Sequence, residues 1–290
     1  MAIDPAAALA APPTTREIAW TRRDVLLYHL SLGAGARADV EPELPYTYEA
    51  NLQVLPTFAL VAGQGISAGD RGAPGLALPG IDVDLRKILH AGQALEVHCP
   101  LPASGTATVS NRVTAVRDKG RAALIVLEST AVDHTGAALW TTTMQIWARG
   151  EGGFGGDPGP EVSAALPERE PDAVLNSPTA PDQALRYRLN GDMNPLHADP
   201  GFARTAGFER PILHGLATYG LVAKAIVDGL LDGDATRLRV FSARFAGTLL
   251  PGETIRTEVW RESDRLALRS TCPERDGAPV LTHATAEVTA

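Results

Sequence analysis

The chain has 290 residues, of which 44% are apolar and 21% charged, and its formal net charge is −8. These values are typical of a globular protein and give no indication of disorder. Nucleic-acid binders and basic membrane-surface proteins need dense lysine and arginine, so the negative charge argues against both kinds of partner. Cys99 and Cys272 are the only cysteines, and their spacing predicts neither a disulfide framework nor a zinc site.

Two segments were candidates for a targeting signal or a membrane span, and neither has the required pattern. Residues 1–13 are rich in alanine and proline but carry Asp4 and no basic start, so we expect a mobile lead-in rather than a signal peptide. The apolar run from Leu216 to Leu231 contains Lys224 and Asp228 and is shorter than the roughly 20 residues of a membrane helix. The expected location is the cytoplasm.

The first half begins with helical patterns and ends with strand patterns. Thr21 to Asp24 has the form of a capping box, which predicts a short helix over Val25–Leu30 that ends near Gly33. The apolar run Val54–Ala62 is long enough for a buried helix. From Ile81 to Arg149 the residues alternate and are rich in β-branched side chains, which predicts an antiparallel sheet.

A segment dense in glycine and proline divides the chain near its middle. We therefore predict an N-terminal repeat over residues 1–150, a linker over 151–178 and a C-terminal repeat over 179–290. The second half opens with another capping-box pattern, Thr179 to Asp182, followed by a short helix that runs into Gly191. Strand patterns again close this half.

The two halves repeat each other at a constant offset. The pairs separated by 158 positions are Thr21 and Thr179, Asp24 and Asp182, and Gly33 and Gly191. Ala91-Gly-Gln also aligns with Pro251-Gly-Glu at a shift of about 160. The pattern predicts an α+β fold of two tandem copies, each with a long helix wrapped by an antiparallel sheet. Pairing of the two sheets edge to edge would protect their edges.

The stretch from Tyr187 to His197 gathers an acid, an amide and an imidazole around a glycine and a proline. Asp192, Asn194 and His197 are therefore expected on a tight loop, where several side chains can point at one place. At the matching positions the first copy has Ala34 and Asp39. This difference predicts one active site per chain, built on the second copy.

The motif Tyr187-x-Leu-Asn-Gly-Asp-x-Asn-Pro-Leu-His197, followed by Arg210-Pro-Ile-Leu-His-Gly215, closely resembles the signature of the MaoC-like (R)-specific enoyl-CoA hydratases, or hydratase 2. The two-copy layout is similar to the double hot-dog members of that family. The resemblance implies a hot-dog fold in each half and hydration of trans-2-enoyl-CoA to (3R)-hydroxyacyl-CoA, which is reversible. By analogy with two-copy relatives, it also makes a homodimer an option.

The resemblance further implies a catalytic pair, Asp192 and His197, and an oxyanion-binding backbone amide at Gly215. Hydration needs a group that activates water, an acid for C2 and donors for the enolate oxygen, and these groups can supply them. Asn194 is expected to orient the loop or the water. No cofactor is implied, and a metal site at His197-x-Asp199 lacks a third ligand nearby.

Other residues are open to plainer interpretations. His214 is interpreted as a packed or hydrogen-bonded residue at a helix start rather than as a second base. His90, with four other histidines, is interpreted as a surface or strand residue. The run Val54–Ala62 could accommodate an acyl chain of at least medium length, although it would serve equally as core. Arg204 and Arg210 could hold CoA phosphates.

Three alternatives to the hydratase remain at this point. The first is a (3R)-hydroxyacyl-thioester dehydratase that acts on carrier-protein substrates. The second is a hot-dog thioesterase, although its acid or amide usually projects from the central helix. The third is a non-catalytic acyl-thioester-binding protein, which would fit better if both loops had lost their polar residues.

Overall fold

The computed structural model describes residues 3–36, 41–64, 75–84, 87–160, 166–263 and 265–289. Most of the strands belong to one antiparallel sheet of ten, and two more form a separate hairpin. In chain order the strands are β1 (Thr14–Trp20), β2 (Gly75–Leu78), β3 (Ile81–Asp84), β4 (Ile88–Val97), β5 (Gly105–Asp118), β6 (Ala122–Val132), β7 (Ala138–Arg149), β8 (Ala173–Pro178), β9 (Leu238–Phe245), β10 (Thr254–Arg261), β11 (Leu266–Cys272) and β12 (Ala278–Val288).

The helices are short, with one exception. They are α1 (Pro5–Ala10), α2 (Arg22–Ser31), α3 (Leu44–Thr47), α4 (Gln183–Tyr187), α5 (Pro200–Thr205) and α6 (Gly215–Leu230). Within the described ranges, none of them combines the length and the apolar content needed to cross a bilayer.

The large sheet runs in the order β1-β5-β6-β7-β4-β9-β12-β11-β10-β8. Without the β2–β3 hairpin, each half contributes five strands, counted here in chain order. In both halves the first strand lies at the outer edge of the sheet, the third, fourth and fifth follow inward, and the second lies at the centre of the sheet. The two halves meet where β4 pairs with β9, from Gly92 opposite Arg244 to Glu96 opposite Val240. This arrangement confirms the α+β double hot-dog and the edge-to-edge joining of its two sheets.

In the second copy, α6 fills the concave side of the sheet. Ten of its sixteen residues are buried, and they share one apolar core with β9, β10 and β12. The sequence located this helix to within one residue, because its apolar run is bounded by Gly215 and by the Asp232-Gly233 turn, where both residues have positive φ.

The first copy does not have the long helix that was predicted over Val54–Ala62. This run forms a 3₁₀ helix of five residues, Pro56–Leu60, followed by a turn. Gly63 lies in the left-handed region at φ +68°, and a Cβ there would be 2.4 Å from the Cβ of Ile18. The apolar run is buried as expected, but this turn stops the helix before a second turn forms.

Two details of the predicted repeat are also wrong. Asp24 accepts from the backbone N–H of Thr21 as a capping box requires, but Thr179 instead donates its hydroxyl hydrogen to the Glu253 carbonyl at 2.7 Å. Gln183 accepts from the Ala180 N–H at the start of α4. The match of Ala91-Gly-Gln to Pro251-Gly-Glu joins strands that do not correspond, because β10 occupies the place of β5 and β4 that of β9.

The last six residues of the predicted linker form β8, which pairs with β10 from Thr254 opposite Pro178 to Val259 opposite Ala173. The alternation in this stretch is weak and ends in a proline, which an edge strand tolerates. The boundaries 1–150, 151–178 and 179–290 otherwise stay a prediction. Asp39, proposed above as the counterpart of His197, lies outside the described residues.

Candidate active site

The loop predicted to carry the chemistry is stabilised by its own polar side chains. Gly191 has φ +120°, and a Cβ there would meet the Cβ of Gln64 at 2.9 Å, so only glycine fits. The Asp192 carboxylate accepts from the Asn194 N–H at 3.1 Å, and the Asn194 side-chain oxygen accepts from the Leu196 N–H at 3.0 Å. Asn194 thereby caps the 3₁₀ helix Pro195–His197, and its part in orienting the loop or the water during the reaction stays a prediction.

His197 is 8% exposed and is fixed through one ring nitrogen. Its Nδ1 lies 2.9 Å from the carbonyl oxygen of Ile212, and since a carbonyl only accepts, Nδ1 carries the hydrogen. Nε2 is then left with a lone pair. Burial lowers the pKa of His197 below its ordinary 6.5, while the Ile212 carbonyl and the Asp192 charge act against this. The ring is therefore a neutral base at pH 7.

His214 stacks on His197, with ring centroids 3.7 Å apart and planes at 25°. Its Nε2 donates to the backbone carbonyl of Asp192 at 3.3 Å, so this residue at the start of α6 supports the loop from behind, as the plainer interpretation expected. Burial, followed by the neighbouring His197, lowers the pKa of His214 to about 3. A neutral His214 gives His197 a nonpolar face to pack on without a second positive charge.

The side chains of Asp192, His197 and His214 bring one oxygen and two nitrogens within 4.8 Å of one another. The structure thus groups His214 with the pair, whereas Asp199 caps α5 by accepting from the Gly201 N–H. Backbone carbonyls accept from Nδ1 of His197 and from Nε2 of His214. The Asp192 carboxylate and His197 Nε2 therefore keep lone pairs that can hold a water, while His214 Nδ1 is buried without a hydrogen-bond partner in the described part of the chain.

Gly215 is the first residue of α6, where backbone N–H groups have no partner within the helix and the dipole is positive. A Cβ at this position would lie 3.2 Å from the ring of Phe245. Any side chain at this position would therefore press against the aromatic ring, and glycine avoids that contact at the start of the helix.

The first copy contributes a histidine that the sequence interpretation treated as a plain strand residue. His90 lies on β4 with its ring edge-to-face against Phe245, at a centroid distance of 4.8 Å. Burial lowers the pKa of His90 to about 4, and among the opposing influences is the charge of Asp192. One signal was available in the sequence: Gly92 interrupts the strand pattern and marks the β-bulge that redirects His90.

One large cavity, of about 1320 Å³, connects the loop to the first copy. Pockets for small ligands usually measure about 300 to 1,000 Å³, so this one has room for an extended substrate. Asp192 and Asn194 border it on one side, and on the other it lies over β5, β6 and β7, where the first copy has no long helix. Arg188 lines it, whereas Arg204 and Arg210 are exposed and are not among its lining residues.

Comparison with known proteins agrees with this geometry. Residues 19–150 match the family model of the MFE-2 hydratase 2 N-terminal domain, and residues 162–275 match that of the MaoC like domain. Over 97% of both chains, this one is 50% identical to the enoyl-CoA hydratase ChsH3 of Mycobacterium tuberculosis. The chain belongs to the MaoC-like hydratase 2 family.

Two further similarities extend over nearly the whole chain. One is to the 3-hydroxyacyl-thioester dehydratase Y of Mycobacterium tuberculosis, 39% identical over 96% of this chain and 94% of that one. The other is to the crystal structure of a MaoC-like dehydratase from Phytophthora capsici, with a TM-score of 0.85, 30% identity and 98% of each chain covered. The family therefore includes proteins named for hydration and for dehydration of thioesters.

Proposed function

We propose that this protein is an (R)-specific enoyl-CoA hydratase that interconverts trans-2-enoyl-CoA and (3R)-hydroxyacyl-CoA. The observation that carries the proposal is the grouping of the Asp192 carboxylate, which lines the large cavity, with the imidazole of His197, whose Nε2 is left free because Nδ1 is hydrogen-bonded to Ile212. The helix start at Gly215 follows directly on His214, which stacks on His197. Hydratases in the family, 50% identical in one case, support the same reaction.

In the proposed mechanism one water is held between Asp192 and His197. His197 Nε2 takes a proton from this water as its oxygen bonds to C3, and the Asp192 carboxylate stabilises the resulting imidazolium. The electron pair of the double bond moves to the thioester oxygen, which accepts from the Gly215 amide. The imidazolium then returns its proton to C2. Hydroxyl and hydrogen are thus added to the same face, and the protein ends in its starting state.

The acyl chain is proposed to lie in the first copy. In the second copy α6 occupies the concave side of the sheet, whereas the matching space in the first copy belongs to the cavity. Its walls there are largely apolar, from Ile18 and Ala59 to Val109 and Leu127. Substrates of at least medium chain length fit this space. A CoA thioester is the proposed form, and among the arginines that line the cavity, Arg16, Arg112 and Arg188, we propose Arg188, next to the active loop, as the contact for a phosphate.

The test is the loss of enoyl-thioester absorbance when purified protein meets trans-2-enoyl-CoAs of increasing length. Asp192→Asn and His197→Gln should each lower kcat by about 10²- to 10⁴-fold, because each removes a group that handles the proton or its charge. His134→Gln is the matched control, since His134 is exposed in a turn. A folded protein that hydrates none of the thioesters, a (3S) product, or a His197→Gln rate near wild type would refute the proposal.

The second candidate is a (3R)-hydroxyacyl-thioester dehydratase that acts on carrier-protein substrates, which the 39% identity to a thioester dehydratase favours. The same assay with acyl groups on carrier protein distinguishes the two, because only the thioester carrier differs. We further propose a cytoplasmic homodimer: both cysteines are free, as suits a reducing compartment, and two-copy relatives supply the analogy for a dimer. Light scattering of the purified protein measures its molar mass directly.

A further inference from the structure

A row of polar residues crosses the floor of the cavity in the first copy. Thr14, Asn111, Ser129 and Thr142 lie opposite one another on the neighbouring strands β1, β5, β6 and β7. All four line the cavity. Because residues directly opposite in register share one face of the sheet, their side chains form a single line across the strands. We call this line the polar row.

The residues on both sides of the polar row are mainly apolar. Two positions along the strands in one direction, Val109 and Trp140 line the cavity; in the other direction Val113, Leu127 and Met144 do. On β5, β6 and β7 the polar row is therefore an interruption in an apolar surface, and the polar residues of the flanking rows, Arg16 opposite Val109 and Gln93 opposite Met144, lie on β1 and β4. Unpaired polar groups cost free energy where they face apolar material, so such an interruption needs a reason.

The fold does not require polarity at this place, because the second copy lacks it. β1 and β8 hold the same place at the two outer edges of the sheet, and Ala173 of β8 packs against the core of the second copy. From there, strand pairing leads to the corresponding row: Ala173, Val259, Leu268 and Ala284. This row is apolar and belongs to the core beneath α6. The row is thus polar in the copy whose sheet face is open to the cavity, and apolar in the copy whose sheet face is covered by α6.

The polar row still has hydrogen-bonding capacity to offer a ligand. Ser129 donates its hydroxyl hydrogen to the side-chain oxygen of Asn111 at 2.5 Å, which turns the amide N–H groups of Asn111 the other way. Those N–H groups and the Thr142 hydroxyl make no hydrogen bond within the described part of the chain. Two donors with a hydroxyl acceptor beside them match a keto or hydroxyl oxygen.

The polar row also lies at a definite depth. Gln93 lies beside His90, whose ring senses the Asp192 charge, so this end of β4 is next to the active loop. Gln93 lies opposite Met144 of β7, two residues along the strand from Thr142. Thr142, Ser129 and Asn111 are therefore two residues along and one, two and three strands across from Gln93. At about 3.4 Å per residue and 4.8 Å per strand, Thr142, Ser129 and Asn111 lie roughly 8 to 16 Å away. An oxygen bound there belongs to the acyl group far from its thioester.

We propose that Asn111, Ser129 and Thr142 form a subsite for a hydroxyl or keto oxygen on the distal part of the acyl group. The proposal rests on the proposed hydratase function and names its substrate class: acyl-CoAs that carry an oxygen function near the far end of the chain. The apolar rows on either side hold the carbon skeleton, and the polar row selects the oxygenated chain over the plain one.

The test compares hydration of trans-2-decenoyl-CoA with that of its (ω−1)-hydroxy and (ω−1)-oxo counterparts, and uses crotonyl-CoA as a reference too short to reach the row. Wild type should prefer an oxygenated substrate in kcat/KM by roughly 3- to 10-fold, the effect of a single net hydrogen bond. Thr142→Val and Ser129→Ala should remove the preference and leave crotonyl-CoA unchanged. Thr143→Val, the same change on the opposite face of β7, is the matched control and should keep it.

Each result decides one point. Whichever counterpart loses more in the Thr142→Val variant identifies the oxygen as keto or hydroxyl. Equal rates on plain and oxygenated chains in wild type would overturn the proposal. So would variants that slow all substrates equally, crotonyl-CoA included, because the row would then contact the CoA part. Failure of wild type on every enoyl-CoA, the decenoyl-CoAs and crotonyl-CoA alike, would refute the hydratase function and not the subsite alone.

Discussion

Replacing Gly215 with alanine should displace the first turn of α6 without removing any side chain from the site. The new Cβ would lie 3.2 and 3.3 Å from two ring carbons of Phe245, so the two must separate by a few tenths of an ångström. The Phe245 ring cannot readily swing aside, because His90 packs edge-to-face against it at 4.8 Å. The helix start has to move instead, and the Gly215 amide moves with it.

Complete loss of one oxyanion donor costs about 3 kcal/mol, or roughly 100-fold in kcat. A displaced donor loses part of this, so Gly215→Ala should lower kcat by about 10- to 100-fold with little change in KM. Alanine favours a helix over glycine by roughly 0.5–1 kcal/mol, which should keep Tm near that of wild type despite the contact. Initial rates of enoyl-thioester consumption, with a thermal melt on the same sample, measure both quantities.

The double variant Gly215→Ala/Phe245→Leu separates the geometric reason from a general loss of structure. Leucine removes the ring that the new Cβ would contact, so the double variant should recover most of the lost rate, with Phe245→Leu alone as its reference. A wild-type kcat in Gly215→Ala, or a double variant no faster than the single, would show that the amide position does not limit the reaction.

Two further predictions concern buried imidazoles. Since burial lowers the pKa of His197 and the base must be neutral, kcat/KM should stay level down to pH 6.5 and fall only below it; an acid limb at or above 6.5 would contradict this. Burial also lowers the pKa of His29 to about 4, so the unfolded chain takes up a proton that the folded one refuses. Stability should be full above pH 6.5 and decline by about 3 kcal/mol toward pH 4, since each pKa unit corresponds to about 1.4 kcal/mol. Urea titrations at several pH values should show that the free energy of unfolding falls less steeply with decreasing pH in His29→Gln than in wild type. The reason is that wild-type His29 accepts from the Leu55 N–H and protonation breaks that bond.

Features fixed by neighbouring residues were predictable from the sequence. The capping box at Thr21 and Asp24 needs only residues three apart, and α6 begins and ends where its apolar run does. The loop of Asp192, Asn194 and His197 is likewise held by hydrogen bonds two residues apart and by a glycine. Local sequence contains these interactions, so the form of the loop follows from it, whereas the orientation of His197 also depends on the Ile212 carbonyl and on the ring of His214.

Features that depend on distant residues were missed. Apolar content over Val54–Ala62 predicted burial correctly, but the turn that shortens the helix packs Gly63 against Ile18 of β1. The role of Thr179 depends on the carbonyl of Glu253, which only strand pairing brings near. His90 reaches the active loop because β4 and β9 join the two copies, and no local pattern encodes that seam beyond the bulge at Gly92.

The two copies have diverged in what fills the concave face of the sheet, and the chain compensates for the open first copy through contacts between them. Ser31 of the first copy accepts from Gln183 through its carbonyl and from Asn190 through its hydroxyl. Lys224 of α6 is 7% exposed and pairs with Glu43 of the first copy at 3.0 Å. Lys224 also pairs with Asp228 at 2.6 Å, so it is removal of Lys224 that would leave the buried Glu43 without its ion-pair partner, at a cost of about 3–5 kcal/mol.

These contacts explain how a sheet with a large cavity on one face can remain ordered. A helix over the first copy would stabilise the sheet but would occupy the space proposed for the acyl chain. The seam between β4 and β9, together with the Lys224–Glu43 ion pair and the hydrogen bonds to Ser31, instead ties the open copy to the filled one. The same seam brings His90 against Phe245, next to the start of α6. The space proposed for the acyl chain and the position of the Gly215 amide thus both depend on the seam between β4 and β9. Neither copy should therefore catalyse the reaction alone.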